Sequence, residues 1–201
     1  MLLLYSDPEL LIVSDSVRMV GEEDYQRISR LMSAEYSDSL RRRHIPSANE
    51  SVCGALLLAE ATLMFGSSCA KVTRGASGKP AYVSGTPCFS ISHDNNAVIC
   101  AVSTKNVGMD LMALPVRFGP ETRRRVAARF FTEAEAELVV KSPDSDGGRT
   151  FARLWTAREA ASKHAGGPLG EMLGCELPNV GKYLHFDFTL SGEKYTACCY
   201  C

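Results

Sequence analysis

The run LWTAREAASKHAGG, read as a helix, sets Trp155, Glu159 and Lys163 on one stripe at four-residue spacing. A carboxylate and an ammonium then project the same way from a rigid element, beside a large aromatic. On a solvated helix such a pair is an ordinary surface ion pair worth about 0.3 kcal/mol. It becomes chemistry only in company, and VGMDLM at 107–112 offers some: Asp110 interrupts an apolar run that reads as a short buried strand ahead of Pro115. An ionised carboxylate inside such a run needs a cation or several donors to offset its desolvation. A strand-end Asp bonded to backbone meets that need, and so does a metal ion shared with Glu159. Two hard oxygen ligands suit Mg²⁺, which takes one or two protein carboxylates and completes its shell with phosphate oxygens and water. The second alternative implies a substrate that carries phosphate.

Two further segments could hold such a substrate. In GASGKPAY, 75–82, glycines permit close backbone approach, and Gly78, Lys79 and Pro80 combine that freedom with a point charge and a fixed φ. A plain turn with a solvated lysine is the commoner meaning, and no Gly-x-x-x-x-Gly-Lys-Ser/Thr occurs there. FSISHDNNAVICAVS, 89–103, reads as two strands joined at DNN, with Ser90, Ser92 and His93 near the end of the first, where hydroxyl and imidazole donors suit phosphate oxygens. Serine hydrolysis fits poorly: Ser92, His93 and Asp94 are sequence neighbours, adjacent strand residues face opposite ways, and no Gly-x-Ser-x-Gly elbow is present.

The elements that must position these groups follow from pattern and composition. With 201 residues, 45% apolar and 22% charged, the chain has the content of a folded globular protein. Its net charge of −1 gives nucleic acid no general attraction, and no recognised nucleic-acid module is present. No apolar run approaches the roughly 20 residues that span a bilayer. MLLLYSDPEL is too short-cored for a secretion signal and reads as a first strand. The eight cysteines lie mostly in apolar runs, which suits reduced thiols in the cytoplasm, and a zinc site at Cys198-x-x-Cys201 would need further ligands nearby. Helical stretches are expected near 22–45 and 48–65, strands over 81–103 and at 107–112, helices near 119–130 and 132–141, and strands near 182–201. SPDSDGG, 142–148, is the clearest loop, and Gly166–Gly167–Pro168 stops the Trp155 helix. Thr132 with Glu133 and Glu135 is helix-start chemistry. Arg41–Arg42–Arg43–His44, ahead of a turn at Pro46, and Arg123–Arg124–Arg125 are solvated helix faces or basic rims for an acidic partner.

Taken in order, GKPAY, FSISHD, VGMDLM, FFTEAEAELV and LWTAREAASK resemble the motifs of the Sfp-type 4′-phosphopantetheinyl transferases, over roughly residues 75–165. The resemblance implies an α+β fold of two similar halves, 1–104 and 105–201, related by a pseudo-twofold axis, with coenzyme A in the cleft between them. It implies transfer of the phosphopantetheine arm of coenzyme A to a serine of an acyl or peptidyl carrier protein, with Mg²⁺, releasing 3′,5′-ADP. By position, Asp110 and Glu159 become the metal ligands, Glu159 the proton acceptor, and Lys163 the cation against the phosphates. Gly78, Lys79, Pro80, Ser92, His93 and Arg158 become coenzyme contacts, Arg158 replacing a frequent lysine. Glu135 matches an acid near the coenzyme. A monomer without membrane or nucleic-acid partners is expected.

Two departures qualify this. Met112 replaces the middle acid of Asp-x-Glu, and a thioether is too soft for Mg²⁺, so water must fill that position and metal affinity should weaken. Glu50 replaces the arginine that helps hold the 3′-phosphate, which implies tolerance of dephospho-coenzyme A unless Arg41, Arg42 or Arg43 reaches that phosphate. These departures keep open a non-catalytic module that binds a carrier or coenzyme A. Two carboxylates among basic groups also suit a metal-dependent phosphatase.

Overall fold

The computed structural model describes residues 1–44, 47–74 and 78–201, so the turn at Pro46 and the glycine-rich start of the 75–82 segment lie outside the described residues. The chain is α+β, and it divides into two compact units, 1–107 and 108–201.

The first unit opens with two strands, β1 (Leu2–Ser6) and β2 (Leu10–Ser16), where one was expected. Asp7 and Pro8 split them: the Asp7 carboxylate accepts the backbone N–H groups of Glu9 and Leu10 at 2.8 and 2.7 Å, an Asx-type turn. The helical stretch over 22–45 is likewise two helices, α1 (Glu22–Leu31) and α2 (Ala34–Arg41), because Ser33 caps the second by accepting the Tyr36 N–H. α3 (Ser47–Met64) is apolar nearly all round and therefore buried. Its Gly54 lets it lie close to the sheet, since a Cβ there would meet Ile91 Cγ2 at 2.9 Å. After a small hairpin, β3 (Val72–Arg74) and β4 (Pro80–Tyr82), come β5 (Cys88–Asp94) and β6 (Ala97–Ser103), turning at Asn95 with φ +54. The antiparallel sheet has the order β1-β2-β6-β5, and Val13, Leu56, Phe89 and Val98 share its core with α3.

The second unit runs β7 (Gly108–Leu114), α4 (Pro120–Phe130), α5 (Glu133–Lys141), α6 (Arg149–Ala165), β8 (Tyr183–Leu190) and β9 (Glu193–Tyr200), with sheet order β7-β9-β8. Proline opens α4, and a reciprocal Thr132–Glu135 capping box opens α5. The 142–148 segment holds a 3-10 turn, Asp144–Asp146, and Gly166 at φ +70 ends α6. In each unit the second strand of a later hairpin pairs antiparallel with an earlier strand, β6 with β2 and β9 with β7. No sequence repeat announces this, because ladder pairing asks only for matching apolar alternation and not for matching residues. Among the described residues no helix is long and apolar enough to cross a membrane.

Candidate functional site

The site grows from the contact between β7 and α6. Gly108 opens β7, and a Cβ at this position would fall 1.9 Å from the carbonyl oxygen of Ala160 and 2.6 Å from the amide nitrogen of His164, both α6 backbone. Only a residue without a side chain allows strand and helix to meet so closely. Asp110 and Met112 follow at two-residue steps and share the Gly108 face. Asp110 is 7% exposed, and the Lys163 ammonium donates to its Oδ1 at 2.6 Å. The buried strand acid therefore finds its cation on α6. Met112 packs instead with the apolar cluster of Phe151 and Trp155, whose rings stack 5.8 Å apart and anchor the helix. A thioether at 112 thus belongs to the packing beneath the site.

Glu159 sits one turn before Lys163 and is half-buried. Burial pushes its carboxyl above the usual range, Asp110 pushes the same way, and Lys163 opposes them. Two carboxylates in electrostatic reach of each other and one ammonium leave a net negative charge in a poorly solvated place, which a divalent cation would neutralise. Among the described residues no group of three or more His, Cys, Asp or Glu is placed to hold a metal ion. A two-carboxylate donor set fits Mg²⁺ completed by phosphate and water, and not an all-protein zinc cage. Cys198, opposite Asp110 in the ladder, is no rival ligand: burial, aided by Asp110, pushes its thiol up to about 12. All eight cysteines are free thiols.

Arg158, expected as a coenzyme contact, is turned inward. Its side chain is 0% exposed, its guanidinium forks onto Glu135 at 2.9 and 2.5 Å and onto the Cys175 carbonyl at 3.1 Å, and it lies over the Phe131 ring. Successive helix residues are about 100° apart, so while Glu159 faces β7, Arg158 points towards α5. Burial pushes the Glu135 carboxyl up, but Arg158 and the Thr132 amide and hydroxyl more than offset this and hold it below the usual range. Glu135 therefore ties the start of α5 to α6. Glu135→Gln is expected to destabilise the protein by about 3 kcal/mol, since it leaves a buried guanidinium charge uncompensated. A folded-state carboxyl pKa below the unfolded one stabilises above the unfolded value, so this contribution is lost as pH falls through the folded value. Denaturant titrations of both proteins from neutral to acid pH should show the gap between them closing at the acid end.

The first unit places its candidates as follows. Gly78 has φ +79 and its carbonyl accepts from Arg74; the Lys79 ammonium donates to the Val107 carbonyl at 3.0 Å; Pro80 starts β4. Ser90 and Ser92 are buried on one face of β5, and His93 stands on the other. Ser92 and His93 therefore cannot grip the same phosphate side by side. The His93 face is the α3 face, and its Nδ1 lies 3.2 Å from the Glu50 carboxylate. The acid that replaces the expected arginine thus reaches the imidazole expected to hold phosphate. Arg41 forks onto Glu22 at 2.6 Å and Arg43 bonds Ser51, while Arg123 is buried against the Phe118 carbonyl and Arg124 pairs with Asp144. Both basic runs thus spend part of their charge within the fold.

Residue spacing alone does not single out Gly108, although a glycine opening a buried strand just ahead of a lone acid is a visible signal of close backbone approach. Residues 106–195 match the profile of the 4′-phosphopantetheinyl transferase superfamily. The chain is 32% identical over 162 residues to a 4′-phosphopantetheinyl transferase of Bacillus subtilis, covering 77% of this chain and 68% of that relative. It is 34% identical over 90 residues to the 4′-phosphopantetheinyl transferase HetI of a Nostoc species, covering 44% and 37%. It is also 28% identical over 155 residues to the 4′-phosphopantetheinyl transferase AcpT of Salmonella typhi, covering 75% and 77%.

Proposed function

Because this chain belongs to the 4′-phosphopantetheinyl transferase superfamily, we propose that it moves the phosphopantetheine arm of coenzyme A onto a serine of an acyl or peptidyl carrier protein. The serine oxygen bonds the phosphorus that carries pantetheine, the bond from that phosphorus to the adenosine-side phosphate breaks, and 3′,5′-ADP leaves with the electron pair. The observation that carries this reading is the convergence of Asp110, Glu159 and Lys163 where β7 meets α6.

Asp110 and Glu159 are the residues that would hold Mg²⁺, which when bound supplies charge neutralisation for the pyrophosphate. Glu159, its carboxyl held above the usual range, is the proton acceptor for the serine hydroxyl. Lys163 meets negative charge developing on the leaving phosphate, as preorganised cations do in phosphoryl transfer. Gly78, Lys79 and Pro80 are assigned to the coenzyme, as are Ser92 and His93, the last two to different parts of it because they lie on opposite faces of β5. The Glu50 carboxylate beside His93 weakens any grip on the 3′-phosphate, so dephospho-coenzyme A is expected to serve as donor.

Incubating the protein with Mg²⁺, an apo carrier and either donor, then weighing the carrier by mass spectrometry, tests both parts. The phosphopantetheine increment is expected from each donor, with rates within about tenfold of each other, a difference of about 1.4 kcal/mol. A strong preference for coenzyme A removes the Glu50 argument. No increment with any of several fatty-acid, polyketide and peptide carriers removes the transferase reading and favours the binding module that Met112 and Glu50 suggest.

A further inference from the structure

We propose that Lys163 keeps the carboxylate pair from taking up a divalent ion by itself, so that metal and coenzyme load onto this chain together and each raises the other's affinity. The inference rests on the transferase reading for the identity of the coenzyme, but its physical content lies in three side chains. The Lys163 ammonium is hydrogen-bonded to Asp110 Oδ1 at 2.6 Å, and the two side chains are only 29% and 10% exposed. An ammonium is a compact point charge. Held there, it engages one oxygen of the better-buried carboxylate and sets a positive charge beside any ion that approaches the other.

The second carboxylate cannot make up the loss. Glu159 is half-buried one helical turn before Lys163, within reach of the same ammonium. The next outward position of β7 offers Met112, which is committed to the Phe151–Trp155 cluster and brings no oxygen. Mg²⁺ holds its waters tightly and needs near-octahedral oxygen coordination, so two acids already balanced in part by a lysine make a weak site. A pyrophosphate changes this twice over: it adds oxygens to the coordination shell, and it gives the Lys163 ammonium a new acceptor, which releases Asp110. Coupling of this kind is reciprocal: the factor by which coenzyme raises metal affinity is the factor by which metal raises coenzyme affinity.

The test uses Mn²⁺, an octahedral oxygen-seeking ion whose free form is counted by electron paramagnetic resonance. Protein is titrated with Mn²⁺ alone and at saturating coenzyme A, against a coenzyme-only blank for chelation in solution. Coenzyme A is expected to raise the Mn²⁺ affinity of the wild type by roughly tenfold or more, within the usual range of coupling between sites. Lys163→Met should raise the coenzyme-free affinity by a similar factor and shrink the coupling, while Lys163→Arg, which keeps the charge, should stay as weak as wild type. Lys163→Gln gives a second neutral variant, and circular dichroism checks that each is folded.

Equal Mn²⁺ affinity of the wild type with and without bound coenzyme A overturns the proposal, as does an unchanged coenzyme-free affinity in both neutral variants. Failure of the transferase reading looks different: no coenzyme A binds and no carrier gains mass, yet the neutral variants still report whether Lys163 guards the acids.

Discussion

Asp110→Ala lowers single-turnover transfer by roughly a thousandfold, the scale of losing a preorganised electrostatic group in a dry site, and leaves the protein folded. The two halves of this expectation have separate grounds. Transfer fails because Asp110 is both a candidate metal ligand and the partner that holds Lys163 in place at 2.6 Å. Folding survives because the charge left behind is that of Lys163, whose side chain is 29% exposed and long enough to turn its ammonium to water. The strand loses a buried charge that it had to desolvate, which offsets part of the lost ion pair. Glu159→Ala should behave alike, and the double variant should be no more than about tenfold slower than either single one, because groups that act as a unit fail as a unit. Single-turnover rates with a mass-spectrometric readout, alongside thermal melts, check all three. Wild-type rates in Asp110→Ala reject its assignment, and two independent thousandfold losses that multiply reject a shared site.

How much of this was legible in the sequence varies with how local the signal is. The Thr132–Glu135 box, the Gly166 stop and the DNN turn rest on a few neighbouring residues, and the structure has them where the pattern put them. The single strand expected over MLLLYSDPEL and the single helical stretch over 22–45 each broke at a short polar residue, Asp7 and Ser33, whose side chain offers the backbone an alternative partner. The stripe of Trp155, Glu159 and Lys163 was readable from helical period alone. Arg158 is different, because period says only that it lies about 100° from Glu159. It does not say that α5 waits on that side with Glu135 to meet the guanidinium. Ser92 and His93 show the converse: strand period puts them on opposite faces, but only the packing of α3 shows that Glu50 stands on the His93 side. Long-range pairs of this kind belong to the tertiary arrangement and leave no local trace.

The same distinction makes Gly108 a position of large structural effect. Replacing it with alanine puts a methyl 1.9 Å from Ala160 O, 2.6 Å from His164 N and 2.9 Å from Ala160 C, all backbone atoms of α6. At Gly54 the comparable obstacle is the end of the Ile91 side chain, at 2.9 Å, and a rotamer change relieves it. No rotamer moves a helix backbone. β7 cannot retreat either, because Gly108 is registered against Tyr200 and the strand is paired along its length with β9. α6 must therefore lift, and lifting it loosens Ala157, Ala160 and Ala161 from their cluster with Cys198 and Tyr200 while drawing Glu159 and Lys163 away from Asp110. Gly108→Ala is expected to cost about 3 kcal/mol or more, the upper range for overpacking, against about 1 kcal/mol for Gly54→Ala, where the side chain yields. The two substitutions differ in function as well as stability: cooled to where both variants are folded, Gly54→Ala should transfer at close to wild-type rates and Gly108→Ala should not. Denaturant titration with low-temperature transfer assays reads both quantities, and a Gly108→Ala protein that matches wild type in each would mean that β7 and α6 do not meet as closely as the site requires.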